Sequence, residues 1–164
     1  MILILAFKLL FSSVLPGFSQ TEIRDLYEQG VNNKKAAEKL LNYFESNPKE
    51  AAKNILMGYH GAIKIVSAKY VDYPKDKYQK FTSGKMLLEK AILLEPDEIE
   101  LRFLRYSVQL NVPVFLNYSS FKSADREFLL NKIKNIKDAD LSKRIKTFLL
   151  AQASLTNKEK ELLN

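Results

Sequence analysis

The sequence predicts an all-α fold, an antiparallel array of helix hairpins with about seven or eight helices. Apolar residues recur with a period of about 3.6 along most of the chain, and no segment alternates as a strand would. Capping residues and prolines divide the chain at short intervals. A hydrophobic content of 46% over 164 residues, with five glycines and five prolines, indicates one globular domain rather than a disordered chain.

The sequence begins with an apolar segment, MILILAFKLLFSSVL, whose only charge is Lys8. This segment is shorter than the roughly 20 residues of a membrane-spanning helix, and a Pro-Gly pair follows it. Gly17 and Ser19 place small residues where a signal peptidase requires them. We therefore expect a signal peptide at residues 1–19, cleaved after Ser19, and a single α-helical domain at residues 20–164. No basic residue precedes Lys8, which an upstream start codon or a retained membrane anchor could each explain.

Cysteine is absent and histidine occurs once, at position 60. This composition excludes disulfides and thiolate chemistry and nearly all zinc sites, so we predict neither a cofactor nor a metal. An exported protein without cysteine is more typical of a periplasmic or secreted bacterial protein than of an extracellular domain stabilised by disulfides.

Four residues in the first half of the chain are expected to begin helices: Thr21, Asn33, Asn47 and Pro74. At the third of these, Asn47 would cap the helix, Pro48 would occupy its first position and Glu50 would complete a capping box. That helix is expected to continue unbroken over residues 48–70. The next helix would end at Glu95, before a proline. Its predicted inward residues are Tyr78, Phe81, Met86, Leu87, Ala91 and Leu94.

Small residues lie on adjoining turns of the helix predicted over residues 48–70, at Gly58, Gly61 and Ala62. Each glycine costs a helix about 1 kcal/mol relative to alanine, so a close approach of a neighbouring backbone is the expected compensation. A phosphate-binding loop is the alternative, but the spacing and the preceding strand that such loops require are missing.

Residues 97–110 are predicted to form the central helix, capped by Asp97 together with Glu100. At about 100° per residue this helix has two apolar faces. One face carries Ile99, Phe103, Tyr106 and Leu110, and the other carries Leu101, Leu104 and Val108. A helix that is apolar on both sides has to be covered on both sides, so we expect it to lie between its neighbours.

Residues 111–120 are expected to form a buried connection, with Tyr118 as an anchor. Four residues there are too apolar to favour open solvent: Val112, Val114, Phe115 and Leu116. Three further helices are predicted, around residues 123–136, from Asp138 to about residue 153, and after Thr156.

Part of the pattern resembles the tetratricopeptide repeat, whose second helix ends near a proline. The matching residues are Gly84, Leu88, Ala91 and Pro96. The match ends in the next helix, where Arg102 stands in place of an aromatic residue and Tyr106 in place of a small one. The resemblance covers about one and a half units within residues 58–110 and implies hairpins that present a groove.

A second resemblance rests on residues between 96 and 118, in the central helix and the connection that follows it, together with residues 58–62 of the helix predicted over residues 48–70. The residues are Gly58, Tyr59, Ala62, Pro96, Asp97, Glu100, Arg102, Phe103, Leu104, Arg105, Gln109, Asn111, Pro113, Phe115, Leu116 and Tyr118. This set resembles a family of uncharacterised exported helical proteins of Gram-negative bacteria. The resemblance implies an all-helical fold and export, and it implies no catalytic residue.

A polar stripe separates the two apolar faces of the central helix and is a candidate partner-binding site: Glu98, Arg102, Arg105 and Gln109. The guanidinium groups of Arg102 and Arg105 lie on neighbouring turns, where they could bind a carboxylate or a phosphate. An internal role is the favoured alternative. Glu98 precedes Arg102 by one helical turn, and Arg105 could bond carbonyl groups of the following connection.

His60, Tyr59 and Tyr118 are the candidate residues of a ligand pocket. A histidine that is oriented by a partner can act as a general base. A packed histidine is the favoured interpretation, because apolar residues flank His60 and histidines commonly have intermediate burial.

The formal net charge is +7, from 26 basic and 19 acidic residues. Six basic residues lie near the C-terminus: Lys132, Lys134, Lys137, Lys143, Arg144 and Lys146. Acidic residues interrupt this region and its aromatic residues follow the core pattern, so we do not predict nucleic-acid binding. A solvated surface is favoured there, and contact with an anionic lipid surface is a weak second.

These observations favour a non-enzymatic interaction or scaffold protein of the bacterial envelope with a protein partner. One alternative is a small periplasmic ligand-binding protein or hydrolase that uses His60. The other is a helical protein anchored in the membrane by its N-terminal segment.

Overall fold

The computed structural model describes residues 17–152 and 155–163, so residues 1–16, which make up most of the expected signal peptide, lie outside the described part. The described part contains nine α-helices and no strand, which confirms the all-α prediction. The α-helices are α1 (Gln20–Gly30), α2 (Lys34–Ser46), α3 (Pro48–Ala51), α4 (Asn54–Ser67), α5 (Pro74–Leu94), α6 (Ile99–Asn111), α7 (Lys122–Lys132), α8 (Ala139–Gln152) and α9 (Asn157–Leu163). Short 3₁₀ turns occupy Ala68–Tyr70, Val114–Leu116 and Ile133–Asn135.

Helices α4 and α5 pack with their backbones in contact. A Cβ added at Gly61 would lie 2.6 Å from the carbonyl oxygen of Gly84, and one added at Gly84 would lie 2.6 Å from that of Gly61. Gly61 also faces Leu88 and Gly84 also faces Ile65, so the two helices run antiparallel. The close backbone approach that the small residues predict is confirmed.

Helix α6 lies between two hydrophobic cores, as its two apolar faces predict. Leu101, Leu104 and Val108 belong to the first core, which α6 shares with α1, α2, α4 and α5. Phe103 and Tyr106 belong to the second core, which α6 shares with α7, α8 and α9. The central position of this helix is therefore confirmed.

Ser19 caps α1, whereas the sequence suggested Thr21, which lies inside the first turn. The Ser19 hydroxyl accepts a hydrogen bond from the N–H of Glu22, and the Glu22 carboxylate accepts one from the N–H of Ser19 at 2.8 Å. Phe18 packs on the ring of Tyr43, with centroids 4.6 Å apart. Two residues that the expected cleavage would remove therefore contact the helical domain.

The single helix predicted over residues 48–70 is wrong, because extended backbone at Lys53 separates α3 from α4. Asn47 does not cap α3 with its side chain. Its side-chain amide instead donates to the carbonyl oxygen of Tyr43 in α2 at 2.8 Å. Asn47 lies between the two helices, and its side chain caps the C-terminal end of α2 rather than the N-terminal end of α3.

The buried connection predicted after α6 is partly wrong. Tyr118 is buried and packs edge-on against Phe81, but Val114 and Phe115 are 95% and 84% exposed. In a 3₁₀ turn, residues three apart share a side, so the turn that directs Leu116 to the core leaves Val114 and Phe115 outside. We call Val114 and Phe115 the apolar tip.

The inward side predicted for α5 is also partly wrong. Phe81 and Ala91 are buried, whereas Tyr78 and Met86 are 62% and 66% exposed and Leu94 is exposed as well. Tyr78 and Leu94 lie toward the ends of α5, which has 21 residues against the 14 of its partner α4. Met86 lies in the middle of α5, about 200° round the helix from Gly84, and therefore faces away from α4.

Candidate functional site

The polar stripe of α6 contains a buried ion-pair cluster centred on Asp125 of α7. Arg105 donates from Nε and Nη2 to the Asp125 carboxylate at 2.7 and 2.8 Å, and from Nη1 to Glu89 of α5 at 2.8 Å. Arg102 donates from Nε to the same carboxylate and from Nη1 to the carbonyl oxygen of Pro96 at 3.1 Å. Asp125 is fully buried, so two guanidinium groups share one desolvated carboxylate. We call these groups the Asp125 cluster.

Aromatic rings cover both guanidinium groups of this cluster. Arg105 lies 4.1 Å from the ring centroid of Phe121, and Arg102 lies 4.5 Å from that of Phe128. Burial disfavours the charged form of Arg105, but its hydrogen bonds and attraction to carboxylates outweigh burial and raise its pKa. Both arginines therefore have internal ion-pair partners, although these are not the partners suggested by the sequence.

Glu98 and Gln109, the other two residues of the stripe, have different surroundings. Glu98 takes the capping position predicted for Asp97, where its carboxylate accepts a hydrogen bond from the N–H of Glu100 at 3.2 Å. Its suggested ion pair with Arg102 is replaced by the Asp125 cluster. Gln109 is buried, and neither polar atom of its side chain has a hydrogen-bond partner in the described chain. The four stripe residues are not assembled into one site.

The three residues of the suggested ligand pocket have separate surroundings. His60 is half-buried and stacks on Phe44 with ring centroids 5.3 Å apart, and burial lowers its pKa. Tyr59 donates from its hydroxyl to Glu100 at 2.6 Å, while the hydroxyl of Tyr118 donates to a carboxylate of α5. This arrangement agrees with the packed interpretation of His60.

A second buried ion pair, which the sequence did not reveal, joins α1 to α6. Arg24 donates from Nε and Nη2 to the Glu100 carboxylate at 2.7 and 2.8 Å. Tyr59 and Gln20 donate to the same carboxylate at 2.6 and 2.9 Å. Hydrogen bonding to Glu100 raises the pKa of Arg24, and burial raises the pKa of Tyr59. The sequence feature that could have predicted a buried ion pair is the position of Glu100 between the two apolar faces of α6, since a buried charge needs a partner of opposite charge.

Helices α1 and α8 are connected by ion pairs that we call the α1–α8 clasp. Its members are Arg24, Asp25, Glu28, Asp138, Asp140 and Arg144. Arg24 lies 2.8 Å from Asp138 and 2.9 Å from Asp140, and Arg144 lies 2.6 Å from Asp25. The carboxylates of the clasp are partly exposed, so solvent screens these pairs more than the buried Arg24–Glu100 pair.

A depression of about 480 Å³ lies beside the N-terminal end of α6. It is lined by Gln20, Arg24, Lys53, Asn54, Ile55, Glu95, Glu98, Glu100, Asp138 and Leu141, and we call it the polar depression. Glu100 is buried and paired with Arg24, whereas Glu95, Glu98 and Asp138 retain access to solvent. Such a surface can receive a cationic group.

Among residues 17–152 and 155–163, no group of three or more acidic or histidine side chains could hold a metal ion. Within the same ranges, no helix is both long enough and apolar enough to cross a membrane. No family model, curated protein or solved structure matches the chain.

Proposed function

We propose that the protein is a non-enzymatic interaction or scaffold protein of the bacterial envelope, and that it binds a protein partner at the polar depression. The observation that carries this proposal is the pair of accessible carboxylates there, Glu95 and Glu98, beside a third, Asp138, that is paired with Arg24. A lysine or arginine side chain of the partner is the group whose charge complements this surface.

The cations at the depression leave the charges of Glu95 and Glu98 uncompensated, because neither carboxylate forms an ion pair within the described residues. Arg24 is buried against Glu100 and also contacts Asp138, while Lys53 pairs with Glu50 at 2.5 Å. The carboxylates Glu95 and Glu98 are held by hydrogen bonds from Asn54 and from the α6 backbone. Pre-positioned charges of this kind reduce the ordering cost of binding.

The helix pairs α1/α2 and α4/α5 support a tetratricopeptide-like arrangement for the scaffold, because each pair is joined by a short connection and packed together. The apolar N-terminal segment and the resemblance to exported helical proteins support a periplasmic or secreted location after cleavage following Ser19. Retention of that segment as an anchor is the alternative. A hydrolase or ligand-binding role for His60 has less support, because His60, Tyr59 and Tyr118 have separate surroundings.

Affinity capture from an envelope extract tests the polar depression. In a Glu95→Gln/Glu98→Gln variant, each amide oxygen can still accept the present N–H hydrogen bond but carries no charge. We expect the captured partner to bind about tenfold more weakly, equivalent to about 1.4 kcal/mol. Glu161→Gln, an exposed change on α9, is the matched control. A partner that binds both variants like the unaltered protein would refute this site.

Mass spectrometry after cell fractionation tests the location separately. We expect a chain that begins at Gln20 in the periplasmic or secreted fraction. A chain that begins at Met1 in the membrane fraction would support the anchored alternative.

A further inference from the structure

The apolar tip follows the C-terminal end of α6, and the residues next to it are held in place. Asn117 has a left-handed backbone with φ of 47°, which reverses the chain directly after the turn. Tyr118 then returns to the first core, and Leu116 packs against that core from the turn itself. The exposure of Val114 and Phe115 is therefore built into the turn. Two adjacent large apolar side chains on a protruding turn form a wedge rather than a groove.

A lysine lies at the base of this wedge. The Nζ atom of Lys85 lies 4.8 Å from the ring centroid of Tyr118, the residue that anchors the turn. Helix α5, which contacts Tyr118, carries five lysines and two carboxylates spread round its circumference, and a direct contact places Lys85 at this turn. One of these carboxylates, Glu89, is already engaged by Arg105 and by the hydroxyl of Tyr118. The field at the tip therefore favours an anionic surface.

We propose that this end of the molecule docks on an anionic membrane surface. Val114 and Phe115 insert at the boundary between headgroups and acyl chains, and Lys85 contacts the headgroups. Tyr73 and Tyr78 are exposed at the N-terminal end of α5, and amphipathic aromatic rings favour this interface. A convex apolar wedge with a lysine at its base fits a deformable anionic surface better than it fits the rigid surface of another protein.

The membrane site is independent of the proposed partner site. The polar depression lies at the N-terminal end of α6 and the apolar tip follows its C-terminal end. The 13 residues of this helix span about 20 Å along its axis. One surface is acidic and the other is basic and apolar, so the two can be occupied together.

Tryptophan fluorescence provides a clean test, because the chain contains no tryptophan. A Phe115→Trp variant of the full chain is mixed with vesicles of phosphatidylcholine and phosphatidylserine in equal parts. We expect a blue shift that high salt reverses and that vesicles of phosphatidylcholine alone do not produce. Leu93→Trp is the matched control, because Leu93 is 81% exposed at the other end of α5. We expect no shift for this control.

Two further variants separate insertion from simple charge attraction. Val114→Ser/Phe115→Ser changes exposed side chains, so it should fold normally by circular dichroism while losing vesicle binding. Lys85→Gln should weaken vesicle binding about fivefold. The proposal fails if the serine variant binds these vesicles as tightly as the unaltered chain. It also fails if Leu93→Trp shifts as much as Phe115→Trp, or if the shift occurs without vesicles and grows with protein concentration, which would indicate contact between copies.

Discussion

The two faces of α6 are held by different proportions of apolar and charged contact. On the first-core face, apolar side chains pack against a helix pair whose backbones meet at Gly61 and Gly84, and one buried ion pair, Arg24–Glu100, joins α1 to α6. On the other face, Phe103 and Tyr106 join a smaller core, and α7 is also bound through the buried carboxylate of Asp125. The α1–α8 clasp then joins α8 of the second core to α1 of the first core through charged side chains.

This difference predicts which part of the fold is more sensitive to pH and salt. Contact between apolar groups and backbones changes little with pH or moderate salt, whereas ion pairs depend on both. The α7–α9 side has the smaller apolar core and is held largely by the Asp125 cluster and the α1–α8 clasp, so it should loosen first when charges are removed. Four predictions test this comparison.

The largest effect is expected from Asp125→Asn, which leaves Arg102 and Arg105 without their shared negative charge. We expect the free energy of unfolding to fall by about 3–5 kcal/mol in urea denaturation. Glu100→Gln should cost less, because Arg24 keeps two other carboxylates within 2.9 Å.

Glu127→Gln is the control for the Asp125 prediction, since Glu127 is exposed on the same helix. It should change stability by less than about 0.5 kcal/mol. If Asp125→Asn behaves like this control, charge does not hold α7 on α6.

The next effect concerns the first-core face. In Gly61→Ala the new Cβ would meet backbone atoms of α5 at 2.6 Å, and overpacking of this kind costs about 1–3 kcal/mol. Gly58→Ala should cost less, because its Cβ would meet the end of the Leu101 side chain, which can move. Thermal unfolding measures both variants. A larger loss at Gly58 would contradict the backbone contact between α4 and α5.

A smaller effect is expected from acid. The N–H of Leu141 lowers the pKa of Asp138, and the hydrogen bond from Arg144 lowers the pKa of Asp140. Because both pKa values are lower in the folded state, the stabilisation is present at neutral pH and is lost as pH falls below about 4. Hydrogen exchange should then increase in α8 before it increases in α4.

Asp138→Asn/Asp140→Asn is the control variant for the acid prediction. It should exchange faster in α8 at neutral pH and show less change on acidification. Equal acid sensitivity of α4 and α8 in the unaltered protein would remove the proposed difference between the two faces.

The smallest effect is expected at two capping boxes, one on each side of the molecule. In the full-length chain, which retains residues 1–19, Ser19→Ala should cost about 1 kcal/mol, because α1 packs into the first core and its fraying affects the whole fold. Thr156→Ala removes the corresponding cap of α9, where Thr156 accepts from the N–H of Glu159. We expect local fraying of α9 by hydrogen exchange with little change in global stability. Loss of global stability in Thr156→Ala alone would reverse this ranking.

Periodicity predicted the architecture of α6, because burial on two sides leaves two apolar faces in the sequence. It also predicted the close approach at Gly61, since glycine in a helix interior requires compensation. The apolar tip could not be predicted in this way. The hydrophobicity of Val114 and Phe115 indicates that exposing them is unfavourable. The direction in which their side chains point depends instead on the geometry of one 3₁₀ turn.

The ion-pair partners were beyond the reach of sequence patterns for a different reason. Arg24 and Asp140 lie 116 residues apart, and Arg105 and Asp125 lie 20 residues apart in different helices. A single sequence shows that a buried charge needs an opposite charge, but many candidates satisfy that need. The tertiary arrangement selects among them.

The Glu100 carboxylate gives the assembly a means of rejecting wrong helix registers. It lies on α6 and accepts hydrogen bonds from α1 and α4, while its partner Arg24 reaches Asp140 of α8. If α1 slid by one turn, apolar side chains would still find apolar surface, but Glu100 would be left as an unpaired charge away from water. An unpaired buried charge costs several kcal/mol of free energy. The native register is therefore more stable than shifted registers, which apolar contacts alone would hardly distinguish.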